Sequence, residues 1–218
     1  MYLGLGLMLS HMSRTVPTRM GFVLAGGKSS RMGAGPDKEK DKVFLKLGGQ
    51  TLLDRALAVM GTVCDRVAIV GDPAKFRKYE SVVPDIFPGC GPLAAIHAAL
   101  VHSSVELNLM LAVDMPFISR ELLAFLFATA TSEGNDAVVT VPRSGKGLQP
   151  LCAVYRRDFS PVAEQALRGR KYKIDAAFAG LSVRVIEEDE LAVAGFSERS
   201  FFNVNTPQDR LAAEDRAF

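Results

Sequence analysis

Residues 20–33 read Met-Gly-Phe-Val-Leu-Ala-Gly-Gly-Lys-Ser-Ser-Arg-Met-Gly, and a polar run leads from them to Asp41-Lys42-Val43-Phe44-Leu45-Lys46-Leu47-Gly48-Gly49. Met20–Leu24 is short, mostly apolar and ends at a Gly pair, which predicts a buried strand. Behind it, Gly26, Gly27 and Gly33 are interleaved with Lys28, Ser29, Ser30 and Arg31. Glycines let the backbone approach a ligand and aim N–H groups at it, while Arg and Lys bring charge for a polyphosphate. A strand followed by such a loop is what nucleotide binding requires. Two familiar fingerprints are excluded. A P-loop needs Gly where Phe22 stands, and G-x-G-x-x-G fails because Gly27 directly follows Gly26.

Downstream, the chain alternates strand and helix. Val43–Leu47 is a short apolar segment closed by Gly48-Gly49, and Thr51 caps a helix running to about Met60. Strands are predicted over Arg66–Val70 and 81–84, with a short helix over 74–79 between them. Pro92 suits the first position of a helix to about Val101, and Leu107–Val113 is the most apolar strand. Ser119 caps a helix over 120–130. Val138–Val141, Leu151–Tyr155 and Val183–Ile186 read as strands, with 142–148 a polar loop. Helices are expected over 159–168 and near 174–179, a last short strand over 201–205, and a C-terminal helix capped by Thr206. This order means an α/β fold with a parallel sheet and right-handed crossovers.

The totals agree with a soluble globule. The chain has 218 residues, 48% hydrophobic and 23% charged. That suits one domain, which we place at 20–218. A net charge of +2, without a basic-aromatic pattern, argues against nucleic acid and membrane as partners. Cys64, Cys90 and Cys152 show no disulfide or zinc spacing, so they read as reduced thiols of a cytoplasmic protein. The apolar start of residues 1–19 is too short to span a membrane and no positive segment precedes it; we expect a disordered extension.

In open α/β sheets, ligands bind outside the carboxyl ends of strands. Four candidates fall there: the loop 24–42, Asp85 with Gly91-Pro92-Leu93, Asp114, and the pair Asn203 and Asn205. Asp114 ends a very apolar strand and suits Mg²⁺ held against a triphosphate, although an Asp before Met-Pro also serves as an ordinary turn residue. Arg31 and Lys42 suit phosphates; the bland alternative is that the lysines of 34–42 are solvated surface. Asn203 and Asn205 alternate with apolar residues, so on a strand both amides face one side. His97 lies in an apolar helix and reads as packed or half-exposed rather than catalytic.

The string Leu24-Ala25-Gly26-Gly27-Lys28-Ser29-Ser30-Arg31-Met32-Gly33, with a later Asp-Lys before an apolar stretch, resembles the molybdenum cofactor guanylyltransferase family, also called molybdopterin-guanine dinucleotide synthases. The resemblance runs from about Met20 to Asp209. It includes Gly91-Pro92-Leu93-Ala94-Ala95-Ile96, Asp114-Met115-Pro116-Phe117, Gln149-Pro150-Leu151 and Phe202-Asn203-Val204-Asn205-Thr206-Pro207-Gln208-Asp209. It implies a three-layer Rossmann-like nucleotidyltransferase fold with a mostly parallel central sheet. It also implies transfer of GMP from GTP to molybdenum-molybdopterin with release of diphosphate, Mg²⁺ as cofactor, and transient contact with molybdopterin-handling proteins or apoenzymes. Leu24, Ala25, Gly26, Gly27, Asp85 and Gly91 would meet the nucleotide. Arg31, Lys42 and Asp114 would carry the chemistry, with Asp114 binding the metal. Gln149, Asn203 and Asn205 would lie toward the pterin.

A cytidylyltransferase for molybdopterin or another phosphorylated small molecule would share the loop. A non-catalytic adaptor for nucleotide and molybdopterin is the alternative of another class. The sequence departs from the family twice. Seven residues, Ala34 to Lys40, separate Arg31-Met32-Gly33 from Asp41-Lys42, and Gly71-Asp72 stands where the family keeps an Asn that contacts nucleotide. Of the two Asp-Lys pairs, Asp37-Lys38 and Asp41-Lys42, the second is joined to an apolar anchor. Lys42 is therefore the expected phosphate ligand, and 34–40 the expected least ordered part of the loop.

Overall fold

The structure, a computed structural model, describes residues 19–26, 41–145 and 147–217. Strand β1 covers Arg19–Leu24, one residue earlier than expected. A 3₁₀ turn at Lys42–Phe44 leads into a small hairpin, β2 (Lys46–Leu47) and β3 (Gln50–Thr51). Gly48 and Gly49 close it at φ 60° and 82°, the paired positive φ of a type I′ turn. Helix α1 (Leu52–Met60) begins where Thr51 accepts from the Asp54 amide, and β4 (Arg66–Val70) and β5 (Val82–Val83) follow. Next come α2 (Pro92–His102), β6 (Leu107–Ala112) and α3 (Arg120–Ala130), the last capped by Ser119. Strands β7 (Val139–Ser144), β8 (Gly147–Leu148) and β9 (Cys152–Arg156) precede α4 (Phe159–Arg168) and α5 (Ile174–Ala177). The chain ends through β10 (Val183–Ile186), α6 (Glu188–Val193), a 3₁₀ turn at Glu198–Phe201 and α7 (Pro207–Ala217).

The strands lie in the order β10-β7-β9-β6-β1-β4-β5, with β8 hairpinned onto β7. Every neighbour pair along the order is parallel except the two made by β9, which runs antiparallel to β6 and β7. The sheet is thus mixed α/β and mostly parallel, as expected. Alternation along the strands feeds two cores. Val23, Leu109 and Leu111 face α1 and α3, while Phe22, Leu24 and Met110 face α2 and α4. Helices on both faces make three layers. Gly21 permits close packing on the first face: a Cβ there would lie 2.7 Å from Met60 Cε. Among the described residues no helix is long and apolar enough to cross a membrane.

Three expected elements differ. Residues 74–79 form turns rather than a helix, because Asp72 closes the segment on itself: its side chain accepts from the Ala74 amide and its carbonyl from Lys75 and Phe76. The polar loop 142–148 is instead the β7–β8 hairpin, with Ser144 opposite Gly147. Residues 201–205 pair with no strand; the segment leaves a 3₁₀ turn and is held by Val204 N donating to Asp114 O at 2.9 Å. Helix α6 had no expectation attached to it.

Candidate active site

At the carboxyl end of the sheet, the ladder of β1 extends beyond its last strand residue. Ala25 N donates to Val70 O at 3.0 Å and Val113 N to Leu24 O at 3.3 Å. These bonds fix Leu24, Ala25 and Val113, the residue before Asp114, to neighbouring strand ends. A cavity of about 500 Å³ opens there, and Leu24, Ala25, Gly26, Lys42, Asp85, Gly91 and Asp114 all line it. Seven residues from three of the four candidate groups therefore come together. Gly91 turns at φ 81° just before Pro92 starts α2. Gly26 and Asp85 are close neighbours: a Cβ on Gly26 would stand 3.5 Å from Asp85 Oδ2. Asp85 Oδ1 is buried and has no hydrogen-bond partner, and burial pushes its carboxyl pKa up.

A second cavity, about 850 Å³, adjoins through the C-terminal segment. Gln149, Asn203 and Asn205 line it together with Ser144, Glu198, Arg199, Phe202 and Asp209. Asn203 and Asn205 share this cavity without being strand neighbours. Asn203 Nδ2 donates to Phe201 O at 3.1 Å, so part of its amide holds the 3₁₀ turn. Asn205 is pinned by the start of α7. Asp209 Oδ2 accepts from the amides of Asn205 and Thr206 at 2.9 and 2.8 Å, and Thr206 Oγ1 accepts from Asp209 N at 3.1 Å.

Lys42 joins the cavities. Its Nζ donates to Asp114 Oδ2 at 2.5 Å and to Asn205 Oδ1 at 2.7 Å. Both side chains of the ion pair are largely buried, at 18% and 19% exposure, so the contact is far less screened than a surface pair. Asp114 Oδ1 is buried and has no hydrogen-bond partner. A hard carboxylate oxygen left over beside a lysine fits a divalent cation such as Mg²⁺. Among the described residues there is no cluster of three or more His, Cys, Asp or Glu. Mg²⁺ bound to one or two carboxylates commonly shares its shell with substrate phosphates and water.

Gly27, Arg31, Lys38 and the 34–40 segment lie outside the described residues, as do 1–18. His97 is packed, 2% exposed, with neither ring nitrogen hydrogen-bonded and its ring 5.3 Å from that of Phe87. Burial lowers its pKa, so it is a neutral core residue. Burial likewise pushes the Cys64 and Cys152 thiols up to about 12, which excludes both as nucleophiles at neutral pH. Sequence reasoning missed the apolar wall residues of the first cavity, Ala112, Val113 and Leu151, and the charged wall of the second at Glu198 and Arg199. The wall at 112–113 was signalled only by its place at a strand end. Nothing in the local pattern of Glu198-Arg199 sets it apart from other surface charge.

An open parallel-type sheet with a charged cleft at its carboxyl edge, a lysine–aspartate pair at the centre and a cavity to each side defines a nucleotidyltransferase-like α/β protein. The chain belongs to the MobA-like NTP transferase domain family, whose model it matches over residues 21–186. It is 38% identical over 195 residues, 88% of this chain and 90% of the other, to a protein of Pelotomaculum thermopropionicum named probable molybdenum cofactor guanylyltransferase. It is 33% identical over 196 residues, 89% of this chain and 93% of the other, to the molybdenum cofactor guanylyltransferase of Desulfosudis oleivorans. Its fold is similar to the crystal structure of molybdopterin-guanine dinucleotide biosynthesis protein A from Archaeoglobus fulgidus, with TM-score 0.74, 26% identity, and coverage of 91% and 98% of the two chains.

Proposed function

We propose that this chain is a molybdenum cofactor guanylyltransferase, built as one nucleotidyltransferase domain over 20–218, that transfers GMP from GTP to the terminal phosphate of molybdenum-molybdopterin. The observation that carries this reading is the junction of the two cavities at Lys42, Asp114 and Asn205. A reaction between two bound phosphates needs two pockets that meet at one charged contact.

GTP enters the cavity lined by Leu24, Ala25, Gly26 and Gly91, where backbone amides and small side chains admit a nucleotide closely. The Asp85 carboxylate, with Oδ1 lacking a partner, accepts from the N–H edge of guanine; cytosine presents no such pair of donors toward it. The molybdopterin end lies in the second cavity, against Gln149, Asn203 and Asn205. An oxygen of the acceptor phosphate attacks the α-phosphorus of GTP. The new P–O bond forms as the α–β bridging bond breaks, and diphosphate leaves with the bonding electrons. Lys42 offsets the charge that grows on the phosphate oxygens. Asp114 Oδ1 would hold Mg²⁺, which when bound supplies Lewis-acid stabilisation of the same charge. Gly27 and Arg31 are assigned to the nucleotide phosphates on the strength of the sequence motif. The three free thiols support a cytoplasmic setting, with product passed on through transient contact with molybdopterin-handling proteins or apoenzymes.

Thermal shift with the four nucleoside triphosphates and Mg²⁺ tests the base. GTP at about 100 times its dissociation constant adds about 2.7 kcal/mol of stability. Greater stabilisation by CTP would replace the guanylyl reading with the cytidylyl one. Diphosphate release on addition of molybdenum-molybdopterin tests catalysis; binding without release would leave an adaptor.

A further inference from the structure

Lys42 stands on a single 3₁₀ turn, a weak platform for a long flexible side chain. The turn is closed by two backbone bonds, Phe44 N to Asp41 O at 2.9 Å and Leu45 N to Lys42 O at 3.1 Å, and the Asp41 side chain accepts from Val43 N at 3.3 Å. A second segment reinforces it. The turn after β4 brings Lys75 Nζ against the Asp41 carboxylate, with both side chains two-thirds or more covered. The same ammonium lies 5.8 Å from the centre of the Phe44 ring and 4.8 Å from that of Phe76. The two rings are themselves in contact, at 6.1 Å. Phe76 is fully buried under Gly71, where a Cβ would come within 2.6 Å of its ring. Lys75 therefore grips the residue before Lys42 and the residue two after it, from a base that is itself locked.

We propose that Lys75 is a positioning residue for nucleotidyl transfer. By holding Asp41 and Phe44 it fixes the backbone on both sides of Lys42, and so keeps the Lys42 ammonium between Asp114 and Asn205. The proposal rests on the reading of Lys42 as the cation that faces the phosphates. No residue of the turn 72–79 lines either cavity, so the turn reaches the reaction through Lys42. This also gives a role to the place where the chain carries Gly71-Asp72: here the segment supports a phosphate ligand instead of touching the nucleotide.

The test is a cycle of full-length proteins, Lys75→Met, Lys42→Ala and the double variant, with Lys75→Arg as control. It is assayed by diphosphate release with GTP and molybdenum-molybdopterin, and by thermal unfolding. Lys75→Met is expected to lower kcat about tenfold. The KM for GTP should move less than about twofold, as for an interaction realised in the transition state. Lys75→Arg should recover most of the loss, since charge and ring contact return. In the Lys42→Ala background, Lys75→Met should cost nothing further, because residues acting through one another are not additive. Full activity of Lys75→Met, or an equal fold loss in both backgrounds, overturns the clamp. An activity loss that follows the unfolding midpoint down, and that Lys75→Arg does not restore, also overturns it. If Lys42→Ala keeps full turnover, the role of Lys42 falls and the clamp with it. A loss in Lys42→Ala beside an unaffected Lys75→Met removes the clamp alone.

Discussion

A lysine ammonium has three N–H donors, and Lys42 directs two of them to Asp114 and Asn205, leaving one for a phosphate oxygen. Lys42→Ala should therefore cut GTP-dependent diphosphate release by at least about tenfold, equivalent to about 1.4 kcal/mol in the barrier. Lys38→Ala, within the inserted residues, should retain near-normal release; the reverse ranking would put the catalytic lysine upstream. Asp85 offers a test of opposite sign. Its pKa is raised by burial from 3.8, so the folded state resists its ionisation. A raised folded pKa contributes stability that is complete below the unfolded value and is lost as pH rises through the folded one. Asp85→Asn removes that loss. The variant should match the native protein in thermal stability below about pH 3.8 and exceed it at pH 7 in the absence of ligand. The same change should weaken GTP stabilisation, since an amide presents N–H to a donor edge. A variant that gained no stability at pH 7, or that bound GTP normally, would show that Asp85 is not a strained reader of the base.

At the scale of elements, legibility depended on whether the signal was local. Helices α1, α3 and α4 were readable to the residue because caps and breakers sit beside them: Thr51 and Ser119 cap the first two, and Gly169 ends the third. Strands β4 and β10 were bounded by turn residues in the same way. The failure at 201–205 depended on a partner far along the chain. Residues 201–205 alternate like a strand, yet their bonds go to Asp114 O and to α7, not to a sheet edge. The hairpin at 142–148 was hidden because its polar residues read as loop, although Gly147 at φ 112° marks the turn in retrospect. The candidate residues were legible because their types and strand-end positions are sequence properties. The clamp on Lys42 was not, since nothing local links Lys75 to Asp41. The segment 72–79 makes the point measurable. Gly71→Ala would push a methyl into the Phe76 ring, which cannot swing away as a flexible chain end would. It should cost about 1–3 kcal/mol, read as a lower midpoint in urea with unchanged slope. Because Phe76 carries Lys75 and Phe44, kcat should fall as well under conditions where the variant is fully folded. Wild-type kcat at reduced stability would separate the packing of the turn from the placement of Lys42.

The whole molecule sets two cavities on either side of one charged contact, and this geometry dictates how their ligands should interact. The first cavity belongs to the ends of β1 and β6 and to the start of α2; the second belongs to the β7–β8 hairpin and the segment leading into α7. They share no lining residue, so coupling between them passes through Lys42, which touches Asp114 on one side and Asn205 on the other. Substitutions deep in the second cavity should then leave nucleotide binding alone. Gln149→Ala and Asn203→Ala are expected to raise the KM for molybdenum-molybdopterin about tenfold or less, with the dissociation constant for GTP unchanged within about twofold. Asn205→Ala differs, because it removes an acceptor from the lysine that serves both sides. It should raise the acceptor KM and lower kcat together, and alter GTP affinity as well. Its effect should be non-additive with Lys42→Ala, while Gln149→Ala should add to Lys42→Ala within about 0.5 kcal/mol. Calorimetric titration of GTP into each variant, beside steady-state kinetics with the acceptor, makes the comparison. Equal loss of GTP affinity in Gln149→Ala, Asn203→Ala and Asn205→Ala would mean that the cavities act as one site, and that the contact at Lys42 is not their link.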